Sequence, residues 1–134
     1  MANSPLHVEV VSAEKVVWSG ESINIIARTV EGDIGILPGH SPLLAVLVPC
    51  GVEILSPEGQ REIVAVDGGF ISVAHGRVSI LSQYARLGQE ITLAEAEREL
   101  AEATRHLETD QDDEEIRRRY NRASAQVKAA QKIA

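Results

Sequence analysis

Aromatic residues are the scarcest material in this 134-residue chain: one Trp, one Phe and two Tyr, 3% of the total. Yet 44% of the chain is hydrophobic, so any core must be assembled from Val, Ile, Leu and Ala. A single cysteine, Cys50, excludes an internal disulfide and fits a reducing compartment. No apolar run approaches the length that crosses a bilayer, and the first residues carry no signal-peptide pattern. Basic charge is short as well. Thirteen Lys and Arg stand against 20 Asp and Glu, which argues against a general nucleic-acid binder, because phosphate attraction needs a basic surface. Catalytic signatures are missing too: no Gly-x-x-x-x-Gly-Lys-Ser/Thr, His-Glu-x-x-His, Cys-x-x-Cys or Gly-x-Ser-x-Gly occurs. His7, His40, His75 and His106 stand far apart with no second ligand at metal spacing, so no metal site is expected. Nothing favours an enzyme, although carboxylates distant in sequence can meet in space. The length suits one domain with a short appendage.

What is present begins with short β-rich runs from Leu6 to Leu87. Leu6, Val8 and Val10 alternate with His7 and Glu9, the period of a strand with one buried face. Val16-Val17-Trp18 and Ile23 to Ile26 are separated by Ser19-Gly20, which reads as a turn. Leu43 to Val48 is continuously apolar and reads as a strand buried on both faces. Val52 to Leu55 and Arg61 to Val66 flank the loop Ser56-Pro57-Glu58-Gly59, and Phe70 to Ala74 and Arg77 to Leu81 flank His75-Gly76. Tyr84 to Leu87 is the last run before Gly88. Roughly ten strands at such close spacing predict an antiparallel flattened β-sandwich or barrel.

At Gly88 the period changes, dividing the chain into a β-sandwich over 1–88 and a helical region over 89–134. Leu93, Ala96, Leu100, Ala103 and Leu107 recur at steps of three and four, as do Ile116, Tyr120, Ala123, Val127 and Ala130. Thr92 with Glu95, and Asp112 with Glu115, have capping-box spacing. The short polar loop between the stripes predicts an antiparallel two-helix hairpin. Four of the ten stripe residues are alanine, so this seam is weak and the hairpin is expected to be the mobile part.

Three stretches invite a functional reading. Glu31 to Pro42 packs three glycines and two prolines around a short apolar run. Pro38-Gly39 suits the centre of a type II turn, and Gly35 suggests a bulge or a close backbone approach. That makes a rigid corner carrying Glu31, Asp33 and His40, which reads first as a structural corner and second as a contact site. Asp67-Gly68-Gly69-Phe70 reads as a turn whose Asp accepts backbone hydrogen bonds. Finally, residues 111–134 hold six Lys and Arg against four Asp and Glu, a basic element on an acidic chain. Arg117, Arg118, Arg122, Lys128 and Lys132 spread opposite the apolar stripe with Arg119 beside it; they form either a solvated face, partly neutralised by Asp113–Arg117, Glu114–Arg118 and Glu115–Arg119 pairs, or a surface for an acidic partner.

Asp33-Ile34-Gly35-Ile36-Leu37-Pro38-Gly39-His40-Ser41-Pro42-Leu43-Leu44 resembles the signature of the epsilon subunit of bacterial F-type ATP synthase, and Asp67-Gly68-Gly69-Phe70 matches its second landmark. Leu6 to Glu14 and Trp18-Ser19-Gly20 extend the likeness nearly end to end. The resemblance implies a non-catalytic central-stalk subunit at the cytoplasmic face of the bacterial membrane, peripheral and without insertion. Its sandwich would hold the gamma subunit and touch the c-ring loops, with Glu31 and Asp33 facing the ring, His40 near gamma, and Pro42 in the same c-ring and gamma interface. Its hairpin would fold against the sandwich or extend to the alpha and beta subunits and restrain hydrolysis, with Arg117, Arg118, Arg119, Arg122 and Lys128 meeting acidic segments. Some members bind ATP through Ile/Leu-Asp-x-x-Arg-Ala. Here the stretch is Ile91-Thr92-Leu93-Ala94-Glu95-Ala96; Thr92 replaces the acid and Glu95 the arginine, so weak or no ATP binding is expected. The competing reading is a stand-alone sandwich module whose basic helical tail recruits an acidic protein.

Overall fold

The alternation that opens the chain is realised as a ten-stranded, nearly closed sheet, followed by two helices, in a computed structural model that describes residues 4–133. The strands are β1 (Leu6–Val11), β2 (Val16–Ser22), β3 (Asn24–Thr29), β4 (Gly32–Ile36) and β5 (Leu43–Leu47). They continue with β6 (Cys50–Leu55), β7 (Arg61–Val66), β8 (Gly69–Ala74), β9 (Arg77–Leu81) and β10 (Ala85–Leu87). Their order is β10-β7-β6-β3-β5-β8-β9-β1-β2, with β4 paired to β3 alone and β2 lying beside β10 to close the wall. Every pairing is antiparallel except β1 with β9. A single 3-10 turn, Gly88–Glu90, leads to α1 (Leu93–Thr109) and α2 (Glu114–Ile133).

The interior is aliphatic, as the shortage of aromatics requires. Leu6, Val8, Val10, Ile25, Ile36, Val52, Ile54, Val64, Ile71, Val73, Val78 and Ile80 form one buried cluster to which neither helix contributes. Ile63, Ala65, Ala125 and Ala129, with Ile91 against them, form a second cluster between β7 and α2. The two clusters share β7, whose Ile63 to Val66 run is buried on both faces. That role was expected of Leu43 to Val48. Instead β5 alternates, with Leu47 buried while Leu44 and Val46 face outward.

Turn chemistry places the strands. The Pro38-Gly39 corner is a type II turn: the His40 amide donates to the Leu37 carbonyl at 3.0 Å and Gly39 has φ +86°. His75-Gly76, with φ +52° and +76°, forms the two-residue hairpin between β8 and β9. Asp67 Oδ1 accepts from Ser82 Oγ at 2.8 Å and from the Tyr84 amide at 3.2 Å, tying the entry of β8 to the exit of β9. Gly69 has φ +107°, and a Cβ there would lie 2.0 Å from the Leu81 carbonyl oxygen.

Several local expectations change. Ser19-Gly20 is not a turn; β2 runs straight through it, with the Trp18 ring lying over Gly20. Gly35 pairs in register with Ile26 and has open space around it, so it marks neither a bulge nor a close approach. Thr92 precedes α1 without a side-chain capping bond. Asp113, not Asp112, caps α2: its Oδ1 accepts from the amides of Glu115 at 2.9 Å and Ile116 at 3.2 Å. Of the three expected ion pairs, Glu114–Arg118 forms at 3.5 Å, and Arg117 instead donates to the Gln111 carbonyl.

Gly69→Ala combines an unfavourable positive φ with a backbone clash and should destabilise the isolated chain by about 3 kcal/mol. Urea unfolding measures it; a loss below about 1 kcal/mol would contradict this account of the Asp67–Phe70 entry.

Candidate interaction surfaces

The outward positions of three adjacent strands carry apolar side chains where solvent-facing strands ordinarily carry polar ones. Val46 on β5 lies opposite Phe70 on β8, and Phe70 opposite Leu81 on β9. Leu44, two residues from Val46 on the same face, is 71% exposed and Phe70 50%. Val30 adjoins the row, since its amide donates to the Val46 carbonyl at 3.0 Å, and it is also exposed. A run of exposed large hydrophobics across neighbouring strands marks a contact surface. The sequence signal was there, in the unbroken Leu43 to Val48 run, but full burial was the assigned cause.

The residues of the glycine- and proline-rich corner divide into two groups at opposite ends of β4. Glu31 and Asp33 sit at the β3–β4 turn, both exposed; Asp33 approaches Arg28 at 3.7 Å, and the Glu31 amide is held by Thr29 Oγ1 at 3.1 Å. His40 and Pro42 lie beyond the far end, where His40 Nδ1 is 2.7 Å from the Ser41 carbonyl and Pro42 is exposed. They offer two separate contact points, not one cluster.

The helical arm meets the sheet chiefly through α2, which packs on β6 and β7, while α1 packs on α2. Consequently α2 is buried on two faces. Ala123, Val127 and Ala130 belong to the expected stripe; Ala125, Gln126 and Ala129 form a second buried set that helix periodicity alone did not single out. At the centre of the contact a Cβ on Gly51 would lie 2.8 Å from the Ala129 Cα. Around it, Lys128 Nζ donates to the Pro49 carbonyl at 3.2 Å and Lys132 Nζ to the Gly51 carbonyl at 2.9 Å. Arg61, itself paired with Glu53, donates to the Lys132 carbonyl at 2.9 Å, and Gln126 donates to the Tyr84 hydroxyl at 2.9 Å. Arg117, Arg118 and Arg119 are exposed and Arg122 half-buried. The basic residues proposed for an acidic partner are therefore not equivalent: Lys128 is engaged with the sandwich.

Ile91 and Ala96 pack inward, whereas Thr92 and Glu95 face solvent, Glu95 lying 3.8 Å from Arg98. A cleft of about 720 Å³ between the arm and β10 brings Arg86, Arg119 and Arg122 near Glu99 and Glu102. Three guanidinium groups and two carboxylates thus face the same cleft. Burial pushes the Tyr84 hydroxyl at its edge above the ordinary tyrosine value. Burial likewise raises the Cys50 thiol, which fits packing and not reactivity. Among the described residues no group of His, Cys, Asp and Glu is arranged to hold a metal ion, and no helix is long and apolar enough to cross a membrane.

Residues 5–88 match the family described as ATP synthase, delta/epsilon chain, beta-sandwich domain. The chain is a member of that family. It is 45% identical over 138 residues to the ATP synthase epsilon chain of Cutibacterium acnes, covering 97% of this chain and 94% of that one. It is 43% identical to the epsilon chain of Corynebacterium diphtheriae, covering 95% and 94%. A chain in the cryo-EM structure of the Euglena gracilis mitochondrial ATP synthase shares its fold at a TM-score of 0.75 and 22% identity, covering 99% of this chain and 84% of that one. As an ATP synthase epsilon subunit, it is a non-catalytic component of a larger complex.

Because Phe70 projects from the sheet, Phe70→Ser should change the stability of the isolated epsilon-type chain by less than about 1 kcal/mol. Thermal unfolding checks it; a core-sized loss would show that the ring supports the fold and not a partner.

Proposed function

We propose that this epsilon-type chain is a central-stalk rotor subunit that links the gamma subunit to the c-ring during proton-driven ATP synthesis and restrains ATP hydrolysis through its helical arm. The observation that carries this reading is the apolar row Leu44, Val46, Phe70 and Leu81, a surface whose exposure makes sense once a protein partner covers it. Gamma is assigned to that row, with His40 and Pro42 at its margin. The polar loops of the c-ring are assigned to Glu31 and Asp33, which project at the other end of β4. Chains of similar fold occur in a c-ring-containing complex of Euglena gracilis and in a central stalk and c-ring assembly of Tetrahymena thermophila, in keeping with association with such a complex. The working site is then the cytoplasmic face of the bacterial inner membrane, reached through partners.

The arm has two uses in this scheme. Docked, it leaves rotation free. Extended, it offers Arg117, Arg118, Arg119, Arg122 and Lys128 to acidic segments of the alpha and beta subunits and blocks rotation in the hydrolytic direction. A ligand biases such a switch only through differential affinity for the two states. ATP is not expected to serve as that ligand, since Glu95 stands where a phosphate-directed arginine is needed.

Removing residues 91–134 from the reconstituted complex should raise ATP hydrolysis severalfold, and unchanged hydrolysis would eliminate the inhibitory role. Phe70→Asp should weaken association with gamma by about 2 kcal/mol or more, read as loss of copurification with the membrane ATPase; full retention would move the gamma contact elsewhere. Calorimetry with ATP on the isolated chain should detect no micromolar binding.

A further inference from the structure

Three cations converge on one open cleft of an otherwise acidic chain. The cleft, of about 390 Å³, lies between α2, β3 and the start of β6 and is lined by Arg28, Lys128 and Lys132. Asp33 is the one carboxylate among its described lining residues. One helical turn separates the lysines, so they share a face of α2. Their ammonium groups rest on the Pro49 and Gly51 carbonyls at 3.2 and 2.9 Å. Those carbonyls belong to residues two positions apart, at most about 7 Å of chain. Each ammonium has three donors and uses one of them there. Like charges one turn apart repel, yet among the described residues no carboxylate is paired with either lysine.

Arg28 arrives from the opposite wall. It faces Asp33 across the β3–β4 pairing at 3.7 Å, with both side chains exposed. That separation is longer than a hydrogen bond, and exposed pairs of this kind contribute little, so the guanidinium keeps its donors available. Ile26, Ala27 and Cys50 supply apolar lining, which strengthens charge interactions beside it. Burial raises the Cys50 thiol, opposed by its contact with the Arg28 carbonyl. Of the surrounding charges, Lys132 and Lys128 each act on that thiol more strongly than Asp33 does. The charges of the cleft therefore sum to a positive field at its wall.

We propose that this cleft binds a phosphate group, held by Lys128 and Lys132 from α2 and by Arg28 from β3. A tetrahedral oxyanion presents oxygens in several directions and can accept from both walls at once, whereas a carboxylate presents two in one plane. Lysines acting as compact point charges and an arginine acting as a fork suit such an anion. Asp33 is exposed and can turn to solvent as the anion enters. This cleft is separate from the one at Arg86, Arg119 and Arg122, and the proposal stands whether or not the chain works in a rotor.

A heteronuclear NMR titration of the full chain with inorganic phosphate, at constant ionic strength, tests the site. The amides of Arg28, Gly51, Lys128 and Lys132 should shift saturably, half-complete at about 1–10 mM, while those of Arg117, Arg118 and Arg119 stay in place. Lys132→Gln retains an N–H donor for the Gly51 carbonyl but loses the charge, and should weaken phosphate binding about tenfold. Arg28→Gln, at an exposed position of the sandwich, should weaken it to a similar extent. Acetate at equal concentration should give no saturable change. Glycerol 3-phosphate, titrated alongside, separates a free ion from the phosphate end of a small metabolite by which binds more tightly, and either order supports the site. Shifts that fail to saturate, shifts that spread equally to Arg117, Arg118 and Arg119, an acetate response equal to that of phosphate, or unchanged affinity in both variants overturns the proposal.

Discussion

The approach of a helix backbone to a strand backbone at Gly51 is the constraint on which the arrangement of this molecule depends. A Cβ there would sit 2.8 Å from the Ala129 Cα, closer than packed atoms tolerate. Everything around the contact follows from that proximity. Alanines at 125 and 129 replace larger side chains, Ile63 and Ala65 receive them, and the rim is fastened by Lys128, Lys132, Arg61 and Gln126. An alanine methyl contributes about 0.8 kcal/mol on burial against roughly 2 kcal/mol for a leucine side chain. The arm is seated by fit and by polar ties, with little apolar area to hold it.

The sandwich is built on the opposite plan. Its buried core cluster is composed of Val, Ile and Leu from eight of the ten strands, plus Cys50 and Ala27, and it excludes the helices altogether. Two clusters that meet only across β7 can lose one without opening the other, a condition for any part that swings while its mount stays rigid. The apolar row on β5, β8 and β9 lies on the sandwich, away from the β6 and β7 surface on which α2 packs.

Much of this was legible in the residues where local chemistry decides the conformation. Pro38-Gly39, His75-Gly76 and Asp67-Gly68-Gly69 specify their turns through fixed φ, positive φ and a side-chain acceptor, and each forms as read. The hairpin stripes were legible for the same reason. Misreadings arose where tertiary contacts decide. Ser19-Gly20 has turn composition, but the glycine is there to seat the Trp18 ring within a continuous strand. Leu43 to Val48 and Ile63 to Val66 are both apolar runs; only the second has a helix over its outer face, and no pattern within the runs separates them. The second buried face of α2 escaped notice because alanine serves a packed surface and an exposed helix equally well. Of the contact residues, the corner acids and His40 were visible in sequence, while the engagement of Lys128 with Pro49, seventy-nine positions away, was not.

The lone parallel pairing, β1 with β9, has a consequence for biogenesis. It joins His7–Val11 to Arg77–Leu81, so this pairing cannot form before the chain through Leu81 has been made. Strands β2 to β8 can reach only partial pairings before then. The helices are made after β6 and β7, the strands on which α2 packs, so their platform precedes them in synthesis.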